Sequence, residues 1–267
     1  MNKPKIIVHL LVKNEENFVW YSINSVLPFV DKIMVWDNNS TDNTVAIINT
    51  IKSPKIIFEE HSALTREEVG HLRQEMLEKT PEGFDWLLVL DADEIWSTES
   101  INKVIDYISM NSQTESVVTH TYNLVGDIYH RLPEKFGEYK FLDMEGNLAV
   151  RFINLSIPGL HASSPYGQEG YFDNNDLPIQ ERRGLVFVNT EYFHATHLIR
   201  SSKNKEVFDR TRKLKYYLGE TNQSSKIPEV FYAPRPSTVS TVTGHMNFIQ
   251  IVRAYVETQL RNIKNFR

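Results

Sequence analysis

The run Trp-Leu-Leu-Val-Leu-Asp-Ala-Asp-Glu at residues 86–94 is the strongest indication of architecture in the sequence, because five apolar residues end abruptly in carboxylates. An uncharged run of this length predicts a strand buried on both faces of a parallel sheet. The carboxylates would then lie at its C-terminal edge, where open α/β sheets bind ligands. Asp91 and Asp93 would point the same way in an extended chain. Mg²⁺, which uses one or two carboxylates and substrate phosphates, would offset their repulsion. The alternative is a solvated acidic turn that begins the next helix.

The order of elements predicts the fold class. Strands are predicted at residues 6–12, 32–36, 55–58 and 86–90, and helices at 18–26, 45–51, 65–79 and 100–108. This alternation predicts an α/β fold with a mostly parallel sheet flanked by helices. Further strands are predicted at 117–124, 148–153 and 185–188, a basic helix at 203–217, a last helix at 245–266, and loops at 126–146, 159–176 and 221–244.

Composition restricts the function classes. The chain has 267 residues, 41% hydrophobic and 24% charged, which suits one large α/β domain or a domain with an appendage. A net charge of −5 argues against nucleic-acid binding. The chain has no cysteine, so disulfides and thiolate chemistry are excluded, and a reducing cytosol fits. The apolar run at 6–12 is too short for a signal peptide, and no run approaches the roughly 20 residues of a membrane span.

Three motifs, in order, resemble those of family 2 glycosyltransferases. They are Val-Lys-Asn-Glu-Glu at residues 12–16, Val-Trp-Asp-Asn-Asn-Ser-Thr-Asp-Asn-Thr at 35–44, and Leu-Asp-Ala-Asp-Glu at 90–94, which carries the DxD pattern. The resemblance implies the GT-A fold, a Rossmann-like, mostly parallel sheet with helices on both faces. It divides the chain into a glycosyltransferase domain at 1–244, with a nucleotide-sugar-binding half at 1–100 and an acceptor half at 101–244, and a C-terminal helical extension at 245–267.

The same resemblance implies an activity. The expected enzyme is a metal-dependent, inverting glycosyltransferase that uses Mg²⁺ or Mn²⁺ and a nucleotide-sugar, with a UDP-sugar expected. The expected acceptor is a glycan or a lipid-linked molecule in cytoplasmic synthesis of cell-surface polysaccharide or lipopolysaccharide. One alternative is a degenerate relative that binds nucleotide-sugar or glycan without turnover. Another is a nucleotidyltransferase, which should show a glycine-rich phosphate loop after the first strand, whereas residues 13–17 contain no glycine. A phosphatase would place its DxD motif earlier in the chain.

The motifs also imply ligand-binding residues. The residues expected at the nucleotide are Val12, Asn14, Glu15, Asp37, Arg73, Asp91 and Ala92, and the metal would be held by Asp93 with Asp91 nearby. Structural alternatives stay open for three of them. Asp37 is also placed to flank a helix N-cap, Glu15 to sit in a first helical turn, and Arg73 to be a solvated helix charge.

An inverting transfer needs a base that accepts the proton of the acceptor hydroxyl. The family draws this base from a later loop, and the candidates here are Glu169, Asp173 and Asp176 within residues 159–176. Glu169, which lies between Gly167 and Gly170, is the first choice and Asp173 the second. A solvated loop carboxylate is the alternative for each.

His194 and His197 form an H-x-x-H pair after a predicted strand. By the resemblance, either of them would complete the metal site or contact the pyrophosphate; the alternative is a pair of partly buried histidines. A zinc site is not expected without cysteine or a third nearby ligand. Arg200, Lys203 and Lys205 are candidates to reach a pyrophosphate, or else form a solvated helix face.

The last predicted helix combines an apolar stripe with the basic residues Arg253, Arg261, Lys264 and Arg267. This pattern is typical of an amphipathic helix on an anionic membrane. The alternatives are packing on the domain or on a second subunit of a homodimer.

Overall fold

The computed structural model describes residues 3–62, 65, 68–163, 170–206 and 217–265, with side chains of the last helix described through residue 260. The strands are β1 Ile6–Val12, β2 Lys32–Asn38, β3 Ile56–His61, β4 Trp86–Asp91, β5 Glu94–Trp96, β6 Ser116–Val125, β7 Asp127–Arg131, β8 Tyr139–Phe141, β9 Met144–Gly146, β10 Leu148–Asn154, β11 His161–Ser163, β12 Gly170–Phe172, β13 Leu185–His194 and β14 Glu220–Thr221. The helices are α1 Val19–Val26, α2 Thr44–Ile48, α3 Glu68–Glu78, α4 Thr98–Met110 and α5 Phe248–Asn265.

One sheet organises the molecule, with strand order β14-β7-β6-β10-β4-β1-β2-β3. Strands β1 to β4 are parallel, and β10 lies antiparallel between β4 and β6. Strand β6 therefore runs in the direction of β4, and β13 joins it in parallel. Strand β7 is antiparallel to both β6 and β14, so β14 also runs this way. Seven of the described strands of this sheet share one direction, which confirms the predicted mostly parallel α/β sheet flanked by helices.

The central strands are buried on both faces, as their uncharged sequences predict. Along β4, Leu88 and Leu90 belong to the larger apolar core, which includes α1 and α4, whereas Leu87 and Val89 face the smaller core beside α3. Alternate residues of one strand thus enter two cores. This packing fixes β4 between two layers and leaves its polar C-terminal end at the edge.

Several predicted boundaries are wrong. The predicted loop 126–146 contains β7, β8 and β9, and the predicted loop 159–176 contains the paired strands β11 and β12. The predicted strand 185–188 continues to His194, because β13 pairs along β6 and then with β5. Strands of three residues are too short to show a period, so pairing partners determine them. The predicted helix 203–217 falls largely outside the described residues, whereas the last predicted helix is observed as α5.

His9 is a fully buried histidine that we expect to make the fold sensitive to acid. Its side chain is fully buried in β1, and burial, with the charge of Arg73, lowers its pKa to about 3. Thr80 Oγ1 lies 2.9 Å from Nε2 and donates its own proton to the Met76 carbonyl, so Nε2 is the donor in the neutral ring. Protonation would place a second N–H at Nδ1, which has no hydrogen-bond partner among the described residues.

We therefore expect stability to fall as the pH drops from about 6.5 toward 3, because only the unfolded chain takes up this proton. The slope should be about 1.4 kcal/mol per pH unit for this one group. Urea unfolding at several pH values would measure it. The variant His9→Leu should lack this component, and His71→Leu, which removes an exposed histidine of α3, should keep it. Equal acid sensitivity in all three proteins would contradict the assignment.

Candidate active site

The predicted acidic strand ends lie at one edge of the sheet. In the register of the parallel strands, Val12 pairs with Asp37 and Leu11 pairs with Asp91. The ends of β1, β2 and β4 are therefore level with one another. The three strand ends therefore form a single polar edge.

Asn14 joins the first two motifs. It is buried and has a left-handed backbone with φ of 54°, a conformation that asparagine tolerates better than most residues. Its Oδ1 accepts hydrogen bonds from the backbone N–H of Thr41 at 2.7 Å and of Asp42 at 3.3 Å. Its own N–H donates to Ser40 Oγ at 2.8 Å. These bonds hold the turn after β1 against the turn after β2.

Asp37 is buried and can accept a further hydrogen bond. Its Oδ2 accepts a 2.8 Å hydrogen bond from the Ser40 N–H, whereas Oδ1 is buried without a hydrogen-bond partner among the described residues. Burial raises the pKa of Asp37, and the hydrogen bonds from Ser40 partly oppose that rise. A buried acceptor of this kind is costly unless a ligand donates to it.

Asp91 is held between two arginines. Arg73 Nη2 lies 3.3 Å from Oδ1, and Arg151 Nη2 lies 3.3 Å from Oδ2. Although desolvation raises the pKa of Asp91, Arg151 and then Arg73 bring the pKa below its usual value. The carboxylate is about 35% exposed and is therefore accessible as an anion.

Glu94 and Arg151 form a buried ion pair that sequence reasoning missed. Arg151 Nη2 contacts Glu94 Oε1, and Glu94 is fully buried. Burial raises the pKa of Glu94 to about 7 despite the nearby arginine. The register of β10 against β6 shifts between Val150 and Phe152, which places Arg151 at a bulge. A β-bulge changes the direction in which a side chain points. Here the Arg151 guanidinium points toward the end of β4.

Asp93 lies beside His194, one of the two histidines proposed to complete the metal site or contact the pyrophosphate. The carboxylate is buried, its Oδ2 lies 3.3 Å from His194 Nε2, and Arg200 Nη1 contacts the same oxygen. Arg200 also lies 3.3 Å from Glu15 Oε1. Burial lowers the pKa of His194, but the charge and hydrogen bond of Asp93, with the charges of Glu94 and Asp91, together outweigh burial, so the net pKa is above its usual value.

Arg200 belongs to a segment that crosses the first two motifs. Its carbonyl accepts a 3.0 Å hydrogen bond from the Asn17 N–H, and the Ser202 N–H donates to Glu16 Oε1 at 2.7 Å. Ser201 Oγ contacts the Asp42 carboxylate. The sequence made Arg200 a candidate to reach a pyrophosphate or else part of a solvated helix face, and the structure buries it beside Asp93 at the edge of the sheet.

A pocket of about 480 Å³ opens beside Asp91. Its lining combines charged, amide and aromatic side chains, including Arg73, Asp91, Arg151, His194, His197, Thr121, Asn123, Asn147, Gln180, Tyr139, Phe141, Tyr171 and Tyr192. Both predicted histidines and two predicted nucleotide-site residues, Arg73 and Asp91, are thus on its wall. Asp37 and Asn14 lie at the neighbouring strand ends and are not among the lining residues described.

The candidate bases differ in position. Glu169 lies outside the described residues, although the next residue, Gly170, lines the pocket. Asp173 is buried in a turn, where Oδ1 accepts from two backbone N–H groups and Oδ2 contacts Arg182. Asp176 is exposed and lies 3.3 Å from His161. The structure therefore gives Asp173 a structural role and does not bring it to the described pocket wall.

The donor atoms at this edge fit a divalent cation whose coordination is completed by a ligand. Asp93 Oδ2 and His194 Nε2 are as close as two neighbouring ligands of one ion, and Asp91 lies two residues from Asp93. Within the described part of the chain, no three His, Asp or Glu side chains are grouped so that they could hold a metal ion. Mg²⁺ commonly uses few protein ligands and takes the remainder from phosphates and water.

Open α/β sheets bind ligands at the carboxyl ends of their parallel strands. The polar pocket lies at that edge, which is typical of a ligand-binding α/β protein. The chain belongs to glycosyl transferase family 2, whose model matches residues 7–158. Among curated relatives, an uncharacterized glycosyltransferase of Rickettsia conorii is 31% identical over 51% of this chain and 45% of its own length. A Rickettsia bellii relative is 26% identical over 66% of this chain and 58% of its own length. The chain thus spans about half the length of the curated relatives it matches.

Two solved structures match part of this chain. Glucosyl-3-phosphoglycerate synthase from Mycobacterium tuberculosis, solved with Mn²⁺, UDP and glucosyl-3-phosphoglycerate, is 16% identical, with a TM-score of 0.46 over 79% of this chain and 77% of that chain. Residues 1–349 of Staphylococcus aureus TarS are 17% identical, with a TM-score of 0.41 over 57% of this chain and 48% of that chain.

Proposed function

We propose that the protein transfers a sugar from a nucleotide-sugar to an acceptor hydroxyl at the carboxyl edge of β1, β2 and β4. One observation carries the proposal beyond family membership. Asp93 and His194 come from distant parts of the chain and meet at 3.3 Å beside a pocket that Asp91 and His194 line. A cation-binding pair next to a pocket of this size suits a reaction in which a diphosphate leaves.

The nucleotide would occupy the ends of β1 and β2. Asp37 Oδ1 is a buried acceptor in need of a donor, which a nucleobase N–H or a ribose hydroxyl supplies. Asn14 and Glu15 brace this region through their bonds to residues 40–44. The expected nucleotide contacts at Val12, Asp37 and Asp91 are therefore level with one another in the sheet.

The diphosphate would lie near Asp93 and His194, which would hold Mg²⁺ or Mn²⁺. When bound, the ion would act as a Lewis acid that offsets the negative charge gathering on the leaving diphosphate. Arg73 and Arg151 contact Asp91, and Arg200 contacts Asp93, so these arginines would hold the two carboxylates in position. This arrangement holds the carboxylates with little conformational freedom before any ligand arrives.

The acceptor would enter the part of the pocket away from Asp91. There the wall carries uncharged groups: Asn123 Nδ2 donates to Asn147 Oδ1 at 2.9 Å, and the rings of Tyr139 and Phe141 are nearly parallel, with their centroids 6.2 Å apart. Amides bind hydroxyl groups, and aromatic faces pack against the apolar faces of sugar rings. A sugar of a glycan or of a lipid-linked acceptor fits this wall.

Calorimetric titration with UDP, GDP and ADP, each with and without Mn²⁺ or Mg²⁺, tests the donor site. We expect metal-dependent binding of one nucleotide, UDP first, and at least about tenfold weaker binding by Asp93→Asn, since it alters one of two proposed protein ligands. Asp106→Asn, which changes an exposed carboxylate of α4, is the matched control and should bind as the wild type does.

Binding of no nucleotide under any metal condition would overturn the donor-site proposal. Nucleotide binding without turnover of the matching nucleotide-sugar, across a panel of sugar acceptors, would favour the non-catalytic relative instead. Equal affinity in Asp93→Asn and the wild type would remove Asp93 from the metal site.

A further inference from the structure

Helix α5 presents an unusually apolar face to solvent. Phe248, Ile249, Ile251, Val252, Tyr255, Val256 and Leu260 are each between 42% and 79% exposed. Only Ala254 and Thr258 of the described α5 side chains are buried. Isolated exposed apolar residues are ordinary, but a contiguous apolar face marks an interaction site. We name these seven exposed side chains the α5 face.

Helix α5 is held on the domain by hydrogen bonds and close packing. The exposure of the α5 face is therefore not explained by a helix that has come away from the domain. Asn247 and Gln250 form a reciprocal capping box, with bonds of 2.8 and 2.9 Å. The Met246 N–H donates to the buried Asp127 at 2.9 Å, and Thr258 Oγ1 accepts from the Leu218 N–H at 2.9 Å. Met246 also packs so closely on Gly126 that a Cβ there would lie 2.2 Å from its sulfur.

The geometry of the α5 face indicates a flat partner. At 100° per residue, Phe248, Val252, Tyr255 and Val256 lie within one broad arc, which Ile249 and Leu260 extend on one side and Ile251 on the other; Gln259 is the polar residue inside it. Ala254 and Thr258 lie on the opposite side, toward the domain. A coiled-coil seam is a narrower stripe, whereas a helix lying in a membrane interface buries a broad apolar face.

The positive charge of the C-terminal segment favours an anionic partner. Residues 245–267 carry four basic residues and one acidic residue, for a formal charge of +3, whereas the whole chain carries −5, so residues 1–244 carry −8. Two copies joined through this helix would bring like charges together, which is unfavourable. An anionic bilayer attracts the helix and accepts its apolar face at the same time.

We propose that the α5 face binds the surface of an anionic lipid bilayer, with the helix axis parallel to the membrane plane. None of the described helices has the length and apolar character to cross a bilayer. Arg253, at the border of the apolar arc, would lie at the level of the lipid headgroups, where its stem packs on apolar surface and its charge stays in water. The inference does not depend on the proposed transfer reaction.

Co-sedimentation with vesicles tests this proposal, with no nucleotide or acceptor present. The vesicles are phosphatidylcholine alone and phosphatidylcholine mixed in equal parts with phosphatidylglycerol. We expect binding to the anionic vesicles that weakens with added salt, and little binding to the neutral ones. The variant Ile249→Glu/Val252→Glu should lower the anionic partition coefficient by about tenfold or more, because two apolar groups become charged.

Met110→Glu is the control, since it adds a charge at an exposed apolar residue on α4 and should bind as the wild type does. Because all the substituted side chains are exposed, the variants should keep the wild-type circular dichroism spectrum. Absence of vesicle binding, or equal binding by Ile249→Glu/Val252→Glu, would overturn the proposal. So would a wild-type dimer in sedimentation equilibrium that Ile249→Glu/Val252→Glu converts to monomer, because a second copy would then cover the α5 face.

Discussion

Replacing Arg151 with methionine should lower the free energy of unfolding by about 3–5 kcal/mol, because the substitution leaves a buried carboxylate without its partner. Glu94 is fully buried and contacts Arg151, so it would have to stay charged without compensation or take up a proton. Urea unfolding at neutral pH measures this loss. Retention of wild-type stability by Arg151→Met would contradict the ion pair.

The same variant should also lose activity by a separate route. Arg151 holds Asp91 Oδ2 at 3.3 Å, so its removal frees the carboxylate at the end of β4. A displacement of about 1 Å at such a site costs on the order of a hundredfold in turnover. The assay is the initial rate of sugar transfer with the nucleotide-sugar that binding identifies. We infer that Arg151 is a positioning residue, since it acts through Asp91.

A second substitution separates the two effects. In Arg151→Met/Glu94→Gln the buried charge is absent, so most of the lost stability should return while turnover stays low. Arg131→Met is the control. Arg131 bonds Asn222 and Glu220 at the edge of the sheet, and its loss should cost stability without lowering turnover. Full turnover in the double variant would show that Arg151 only compensates the Glu94 charge.

The part of the site that the sequence predicts is the part built from local motifs on parallel strands. Asp37 and Asp91 follow apolar runs, and parallel neighbours bring such ends level, so their common edge follows from periodicity alone. The meeting of Asp93 and His194 was suggested by the family resemblance. It required β13 to extend past its predicted end and pair with β5, which strand length cannot show.

The remainder depends on strand pairing between distant segments. Arg151 enters the site because β10 lies antiparallel beside β4 and carries a bulge, and neither feature is visible in a single sequence. One signal was available: Arg151 interrupts the otherwise apolar run 148–153, and a charge in a buried strand needs a partner. Glu94 was likewise visible as the third carboxylate of its motif. Its pairing with Arg151 could not be derived without the sheet order.

Loss of the catalytic base should lower turnover strongly. We propose Glu169, and Glu169→Gln should reduce turnover by about 10²–10⁴-fold, the usual contribution of general-base catalysis. The glutamine keeps the shape of the side chain but cannot accept a proton from the acceptor hydroxyl. Gly170, the adjacent residue, lines the pocket. Nucleotide affinity and the unfolding curve should stay at their wild-type values.

Asp173→Asn is the matched comparison, because the sequence made Asp173 the second candidate for the same role. The backbone N–H of Asn175, then that of Leu177 and the Arg182 guanidinium, bring the pKa of Asp173 below its usual value, which makes it a weaker base. Its stabilising contribution is present above the pKa of the unfolded chain and is lost as the pH falls through the lower folded value. We therefore expect Asp173→Asn to unfold at lower urea concentration while turnover by the folded protein is largely kept. The opposite result, with Asp173→Asn inactive but stable and Glu169→Gln active, would transfer the role of base to Asp173 and require the turn at 173–177 to open toward the pocket.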